Sequence, residues 1–259
     1  MLRHGSLFSG IGGFDLAAEW MGWENVFHCE IDPFGQRVLK HHFPNSIAHE
    51  DIKELEATQY YGRVDIITGG FPCQPFSNAG QRKGTQDDRH LWPQMLRVIS
   101  EVSPSFVVGE NVLGLLNWSG QKGRGKMVFD QVCFDLEAQG YKVAPIVLPA
   151  CGKDAPHRRD RIFFVAYSKA KRLQRGDGKG EGRRRQPKGG ALSFHKSANW
   201  QGFPTVSPIC RGDDGFSERL DSITFPKWRR ESVKAYGNAI VPQVAYEIFR
   251  AIQETYEDS

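Results

Sequence analysis

No apolar run in this 259-residue chain approaches the roughly 20 residues needed to span a bilayer. The opening Met1-Leu2-Arg3-His4-Gly5 also lacks the apolar stretch of a secretory signal. Cysteine is sparse: Cys29, Cys73, Cys133, Cys151 and Cys210 form no CxxC pair and leave an odd count for a disulfide framework. The expectation is a cytoplasmic protein with reduced thiols, no membrane attachment and no metal. There is no internal repeat. Wholesale disorder is excluded as well, because 17 Phe, 7 Tyr and 6 Trp supply ample core material. The length fits one large domain, or one domain with a small insertion.

The net charge of +4 conceals an uneven distribution. Residues 169–190 hold nine basic and two acidic side chains, so this stretch carries +7 and the remainder is mildly acidic. A local basic tract suits a polyanion such as nucleic acid, and equally suits a solvated loop.

Up to about residue 166, short apolar strands alternate with helical periods. Gly5–Ser9, Val26–Glu30, Val64–Thr68 and Phe106–Val108 read as strands, and Val143–Leu148 with Arg161–Ala166 as a late strand pair. Phe14, Ala17 and Met21 mark one helix, stopped by Gly22. Leu91, Met95, Val98, Ile99 and Val102 mark another, and Val128, Val132 and Leu136 a third. Such alternation implies a mostly parallel sheet with helices on both faces. The pattern breaks from Tyr167 to about Asp221, then returns as an apolar stripe at Val241, Val244, Ala245, Ile248, Phe249 and Ile252, a C-terminal amphipathic helix. The expected divisions are 1–166, 167–222 and 223–259.

Three strand ends carry chemistry. Phe8-Ser9-Gly10-Ile11-Gly12-Gly13 is a glycine-rich strand-to-helix turn, where the backbone can approach a ligand closely. Glu30, about twenty residues on, can accept hydrogen bonds from a ribose, and Asp51-Ile52 can meet an adenine edge. Cys73 follows a buried strand inside Gly70-Phe71-Pro72-Cys73-Gln74-Pro75-Phe76-Ser77, where the two prolines bias Phe71 and Gln74 towards extended backbone. A free thiol is only about 3 % thiolate at pH 7, so a nucleophile here needs help from its surroundings. Glu110-Asn111-Val112 ends the strand that begins at Phe106, on the same sheet edge. Arg159 and Arg161 alternate onto one face, suited to phosphate or to a carboxylate.

These motifs, in this order, resemble the C5-type DNA (cytosine-5) methyltransferases over nearly the whole chain except the basic stretch. The resemblance rests on Leu7–Phe14, Gly70–Ser77, Glu110-Asn111-Val112, His157-Arg158-Arg159-Asp160-Arg161 (histidine standing where the family has glutamine) and Tyr236-Gly237-Asn238-Ala239-Ile240-Val241-Pro242. It implies an α/β class I S-adenosylmethionine-dependent methyltransferase fold, with a mostly parallel doubly wound sheet and one antiparallel strand, plus a small irregular target-recognition lobe. It also implies S-adenosylmethionine as cofactor, with S-adenosylhomocysteine as product. Phe8, Ser9, Gly10, Ile11, Gly13, Glu30, Ile31, Asp51, Ile52, Pro72, Leu91 and Asn238 would bind the cofactor. Cys73 would attack cytosine C6, Glu110 would protonate the ring at N3, and Arg159 or Arg161 would hold O2 and orient Glu110.

Double-stranded DNA is the implied partner. Gln74, Ser77 and Arg89 lie on a glycine-containing loop that would close over a flipped base. Arg183, Arg184 and Arg185 would grip phosphates, and Arg211, beside Asp213 and Asp214, would read bases. Two stretches, Trp200–Pro204 and Thr224–Trp228, compete for the family's Leu-Gln-x-Phe-Pro pattern. The resemblance further implies a monomer in the cytoplasm of a bacterial or phage-infected cell, associated with the nucleoid through DNA, with a cognate restriction endonuclease as a further partner. The alternatives are a tRNA or RNA cytosine-5 methyltransferase of the same fold and a catalytically inactive DNA-binding relative. The first typically carries Cys-Phe-Thr shortly after the Glu-Asn-Val motif, where this chain has Leu113-Gly114-Leu115-Leu116. The second predicts decay at Cys73 or Glu110.

Overall fold

The computed structural model describes residues 1–72, 91–117, 124–153, 155, 158–168 and 228–257. The strands are β1 (Arg3–Leu7), β2 (Glu24–Cys29), β3 (Ile47–His49), β4 (Ile66–Gly69), β5 (Phe106–Val112), β6 (Tyr141–Pro149) and β7 (Asp160–Ser168). The helices are α1 (Gly13–Trp20), α2 (Pro33–His42), α3 (Trp92–Val102), α4 (Gly114–Asn117), α5 (Arg124–Ala138), α6 (Trp228–Asn238) and α7 (Pro242–Glu257). Among the described residues no helix is long and apolar enough to cross a membrane.

One seven-stranded sheet runs in the order β3-β2-β1-β4-β5-β7-β6. The pairs from β3 through β5 are parallel, and β7 alone runs against both its neighbours. This is the mostly parallel sheet with one reversed strand near its end. The reversal has a functional consequence. A reversed strand brings its first residues, not its last, to the edge where the parallel strands finish.

Alternation along the strands divides the core. Leu7, Ile67, Val107 and Phe164 face α3 and α5, whereas Ile66, Val108 and Phe163 face α1 and α7. The apolar stripe foreseen near the C-terminus is α7, whose Val244, Ala245, Ile248, Phe249 and Ile252 are buried against the second face. Phe249 stacks on Trp23 with ring centroids 4.7 Å apart.

Several strand limits differ from the expectation. β1 spans residues 3–7, so Ser9 lies beyond it, and β4 starts at Ile66 rather than Val64. Glu30 lies one residue past β2. β5 continues through Glu110 and Asn111 to Val112, because β7 offers ladder partners along that whole length. Arg159 lies outside β7, with φ +35°, and so does not alternate with Arg161 as strand neighbours would. Elements β3, α2, α4 and α6 carry no period visible in the sequence.

Candidate active site

The strands β1, β2, β4 and β5 all end at one edge of the sheet, and a cavity of about 460 Å³ opens there. Its floor is the turn after β1. Phe8 has φ +51°, Gly10 +58° and Gly12 +84°, which bends the chain sharply into α1. A left-handed Phe is strained by about 1–3 kcal/mol, and such strain concentrates at ligand sites. The Glu30 carboxylate holds this turn in place. Its Oε2 accepts the Gly10 N–H at 2.6 Å and its Oε1 the Asp32 N–H at 2.7 Å. Asp32 in turn caps α2, accepting the Phe34 N–H at 2.9 Å, with Pro33 in the first helical position. Gly35 lets α2 approach the turn, since a Cβ there would lie 2.5 Å from the Gly10 carbonyl oxygen.

The second half of the site lies where β4 and β5 finish side by side. Gly69 is in register with Gly109, so Gly70 sits beside Glu110, and a Cβ on Gly70 would be 3.2 Å from Glu110 Oε2. The Glu110 carboxyl thus lies over the backbone that leads directly into Phe71 and Pro72. Asn111 secures the same segment, donating from Nδ2 to the Phe71 carbonyl at 3.1 Å. The reversed β7 delivers Arg161 opposite Val112, and its Nε donates to Glu110 Oε1 at 2.9 Å.

Burial is the largest influence on Glu110 and raises its pKa above the usual carboxylate range. Arg161 and Arg159 pull it back down, less strongly. The result is an acid held between two guanidiniums, with one oxygen turned to the backbone of the Cys73 loop.

Arg159 does something different. Its guanidinium donates to the carbonyls of Gly237 and Ala239, both at 2.7 Å, and so clamps the turn between α6 and α7 that carries Asn238. Burial, with Arg161 nearby, lowers its pKa. The shared O2-holding role expected of both arginines therefore divides: Arg161 contacts the acid, and Arg159 contacts the closing turn.

Of the expected cofactor residues, Phe8, Ser9, Gly10, Ile11, Glu30, Ile31, Asp51, Ile52, Pro72, Leu91 and Asn238 all line the cavity, together with Glu110 and Arg161. Gly13 does not. It backs onto the Ile240 carbonyl, which a Cβ would meet at 2.7 Å. Cys73, Gln74, Ser77, Arg89, Arg183, Arg184, Arg185 and Arg211 lie outside the described residues, as does nearly all of 167–222 apart from the end of β7. Among the described residues no group of three metal-ligating side chains is present.

The family model for C-5 cytosine-specific DNA methylases matches residues 2–206. The chain belongs to that family. Its relatives include the Type II methyltransferase M.PspPI of Psychrobacter sp. (strain TA137), 37 % identical over 162 residues, which are 61 % of this chain and 38 % of the relative. The Type II methyltransferase M.Eco47II of Escherichia coli is 36 % identical over 163 residues, 62 % of this chain and 38 % of the relative. The chain thus spans little more than a third of the length of these curated relatives. An Escherichia coli prophage protein described as a DNA modification methyltransferase superposes with a TM-score of 0.55 at 29 % identity, covering 66 % of this chain and 48 % of that one.

Within this methylase framework, the sequence reading missed Arg97. From α3 its guanidinium donates to the carbonyls of Ile52 at 2.6 Å and Leu55 at 3.0 Å, and it pairs with Glu101, which accepts the Ala57 N–H. It fastens the segment that carries Asp51 and Ile52 to the cavity wall. The available signal was the i, i+4 spacing of Arg97 and Glu101 beside an apolar stripe. Lys234 was missed too; it reaches from α6 to Asp32 at 3.2 Å and ties the closing helix to α2 across the cavity.

Proposed function

We propose that this chain transfers a methyl group from S-adenosylmethionine to C5 of a cytosine flipped out of duplex DNA. The observation that carries the reading is the Glu110 carboxyl, held by Arg161 and lying against the Gly70–Pro72 backbone that leads into Cys73.

The cavity fits the cofactor by its donor set. Apolar walls from Phe8, Ile52, Pro72 and Leu91 suit a flat heterocycle, and the Glu30 and Asp51 carboxylates suit ribose hydroxyls and a positive sulfonium. When bound, S-adenosylmethionine supplies an electrophilic methyl group. The protein's own task is to make C5 nucleophilic. The Cys73 thiolate adds to C6, forming the S–C6 bond and moving the C5–C6 electron pair onto C5. Glu110 meets the resulting negative charge on the ring with a proton at N3, and Arg161 keeps that carboxyl in place. Loss of the C5 proton and expulsion of the Cys73 sulfur then restore the aromatic ring. The target carbon is inaccessible inside a stacked duplex, so the base must leave the helix at a cost of a few kcal/mol.

Arg183, Arg184 and Arg185 supply phosphate contacts in this reading, Arg211 a base contact, and Gln74, Ser77 and Arg89 the loop that closes over the base. The Type II designation of the relatives supports a restriction endonuclease acting at the same site. Incubating the full chain with tritiated S-adenosylmethionine and mixed-sequence duplex DNA, followed by bisulfite sequencing, tests the activity and reads the target together. Label on RNA only would replace DNA by the RNA alternative, and no label on any nucleic acid would support the inactive one.

Arg97→Ala is expected to raise the KM for S-adenosylmethionine by about tenfold while leaving kcat nearly unchanged, because loss of its charge-assisted bonds frees the Asp51–Leu55 segment. Steady-state kinetics with saturating DNA measure this split. A drop in kcat at unaltered KM would contradict it.

A further inference from the structure

Asp15, in the first turn of α1, is fully buried, and neither carboxyl oxygen has a hydrogen-bond partner of good geometry. It faces the sheet side where His4, Ser6 and Thr68 form a polar stripe within an apolar core. The group beside its carboxyl that can engage it is the Ser6 hydroxyl. A buried carboxyl with no firm donor is expensive unless it is neutral.

Counting protons along the neighbouring hydroxyls decides its state. The Cys29 carbonyl can only accept, so the Ser9 hydroxyl, 3.3 Å away, spends its single proton there. Ser6 lies 2.8 Å from Ser9 and must therefore donate to it. Ser6 then has no proton left for Asp15, so a hydrogen bond between them must be donated by the acid. The other nearby polar groups are committed elsewhere. Asn25 donates its amide to the Asp15 backbone carbonyl at 3.0 Å and accepts from His4 Nδ1 at 2.7 Å, while His4 Nε2 accepts from Thr68 at 2.8 Å.

We infer that Asp15 is a positioning residue of the cofactor site, a neutral acid whose O–H donates to Ser6 and completes a one-way chain, Asp15 to Ser6 to Ser9 to the Cys29 carbonyl, that fixes the Ser9–Gly10 turn. Ionised Asp15 would take the Ser6 proton instead, reverse the chain and release Ser9. The inference rests on the proposed cofactor reading, since Ser9 and Gly10 matter only if the cavity holds S-adenosylmethionine.

Burial pushes the Asp15 pKa up to about 7. The other titratable groups around it are silent near neutrality. His4 on β1 is pushed down to about 4, His28 on β2 is lowered, and Cys29 is pushed up to about 12, all chiefly by burial. The buried face of α7, which covers α1, is entirely apolar.

The test is calorimetric titration of the full chain with S-adenosylmethionine from pH 6 to pH 8.5, alongside thermal unfolding of the cofactor-free protein from pH 5 to pH 8. The wild type should lose affinity above about pH 7, by up to about tenfold per pH unit. Asp15→Asn keeps an N–H donor that does not titrate, so it should bind with wild-type affinity at pH 6 and show no such loss beyond that of the cofactor's own amino group. Asp15→Leu, with no donor, should bind weakly throughout. In unfolding, the raised acid contributes stability that is complete below about pH 4 and lost as pH rises through 7. The melting temperature of the wild type relative to Asp15→Asn should therefore fall from pH 5 to 7 and then level. Binding curves that coincide for wild type and Asp15→Asn at every pH, or a melting difference that does not vary with pH, would overturn the role of Asp15. Absence of binding by the wild type at any pH would instead overturn the cofactor reading, and the melting difference alone would then decide whether Asp15 is a buried neutral acid.

Discussion

Replacing Cys73 by Ala is expected to reduce cytosine methylation to background while cofactor affinity stays within about twofold of the parent chain. The size of this effect follows from the chemistry. C5 of cytosine is too weak a nucleophile to take a methyl group unaided, and no carboxylate or arginine in the cavity can add covalently to C6 in its place. Pro72 lines the cavity, so the residue after it leaves from the cavity wall, yet none of the contacts that shape the turn after β1 pass through it. Binding and chemistry should thus separate cleanly. Single-turnover methyl transfer and equilibrium binding of S-adenosylmethionine, measured on the same variant, check both halves. Retained turnover would remove the nucleophile from the account.

Glu110→Gln should lower the single-turnover rate by about 100-fold or more, the usual contribution of a positioned general acid. The pH profile carries more information than the rate. Burial holds the Glu110 pKa above the ordinary carboxylate range despite Arg161 at 2.9 Å, so the protonated form survives to higher pH than in a free side chain. The rate of the parent chain should fall as pH rises through that pKa, because the proton donor is lost. The glutamine variant cannot titrate and should lack this limb, running flat where the parent declines. An unchanged limb in Glu110→Gln would move the acid elsewhere.

The division of labour between the two arginines follows from topology. β7 is antiparallel to β5, so its first residues reach the edge where the parallel strands finish, and Arg161 meets Glu110 across neighbouring ladder positions. Arg159 precedes the strand, adopts a left-handed backbone and turns towards the Gly237 and Ala239 carbonyls. The acid that would touch the base and the turn that closes the cofactor cavity are thereby held by residues two positions apart.

Much of this was legible in the sequence. The glycine turn, the strand-end acids and the proline-flanked cysteine are local signals, each readable because a sharp turn or an edge position admits few residue types. The apolar stripes of α1, α3, α5 and α7 were legible for the same reason, since each buries one face. β3 has only three residues at an exposed edge, which is too short for alternation to register. The start of α2 was marked by Asp32-Pro33, a helix-opening pair, but Gly35 and the polar run after it hide the period.

What local pattern could not provide was pairing across the sheet. The contacts of Arg97 to Ile52 and Leu55, of Arg159 to Gly237, and of Asp15 to the Ser6–Ser9 pair join positions fixed by strand order rather than by spacing. Asp15 shows the limit most plainly. On the helix it reads as an ordinary first-turn acid, and only the fold shows that it faces inward.

The most direct test of the central claim is trapping. The full chain is incubated with S-adenosylmethionine and duplex DNA containing 5-fluorocytosine at its methylated position, and the products are digested and sequenced by mass spectrometry. After methylation the fluorine at C5 cannot leave as a proton would, so the account predicts a stable adduct linking Cys73 to C6 of the modified base. DNA methylated without any adduct, or an adduct at a different cysteine, would contradict it.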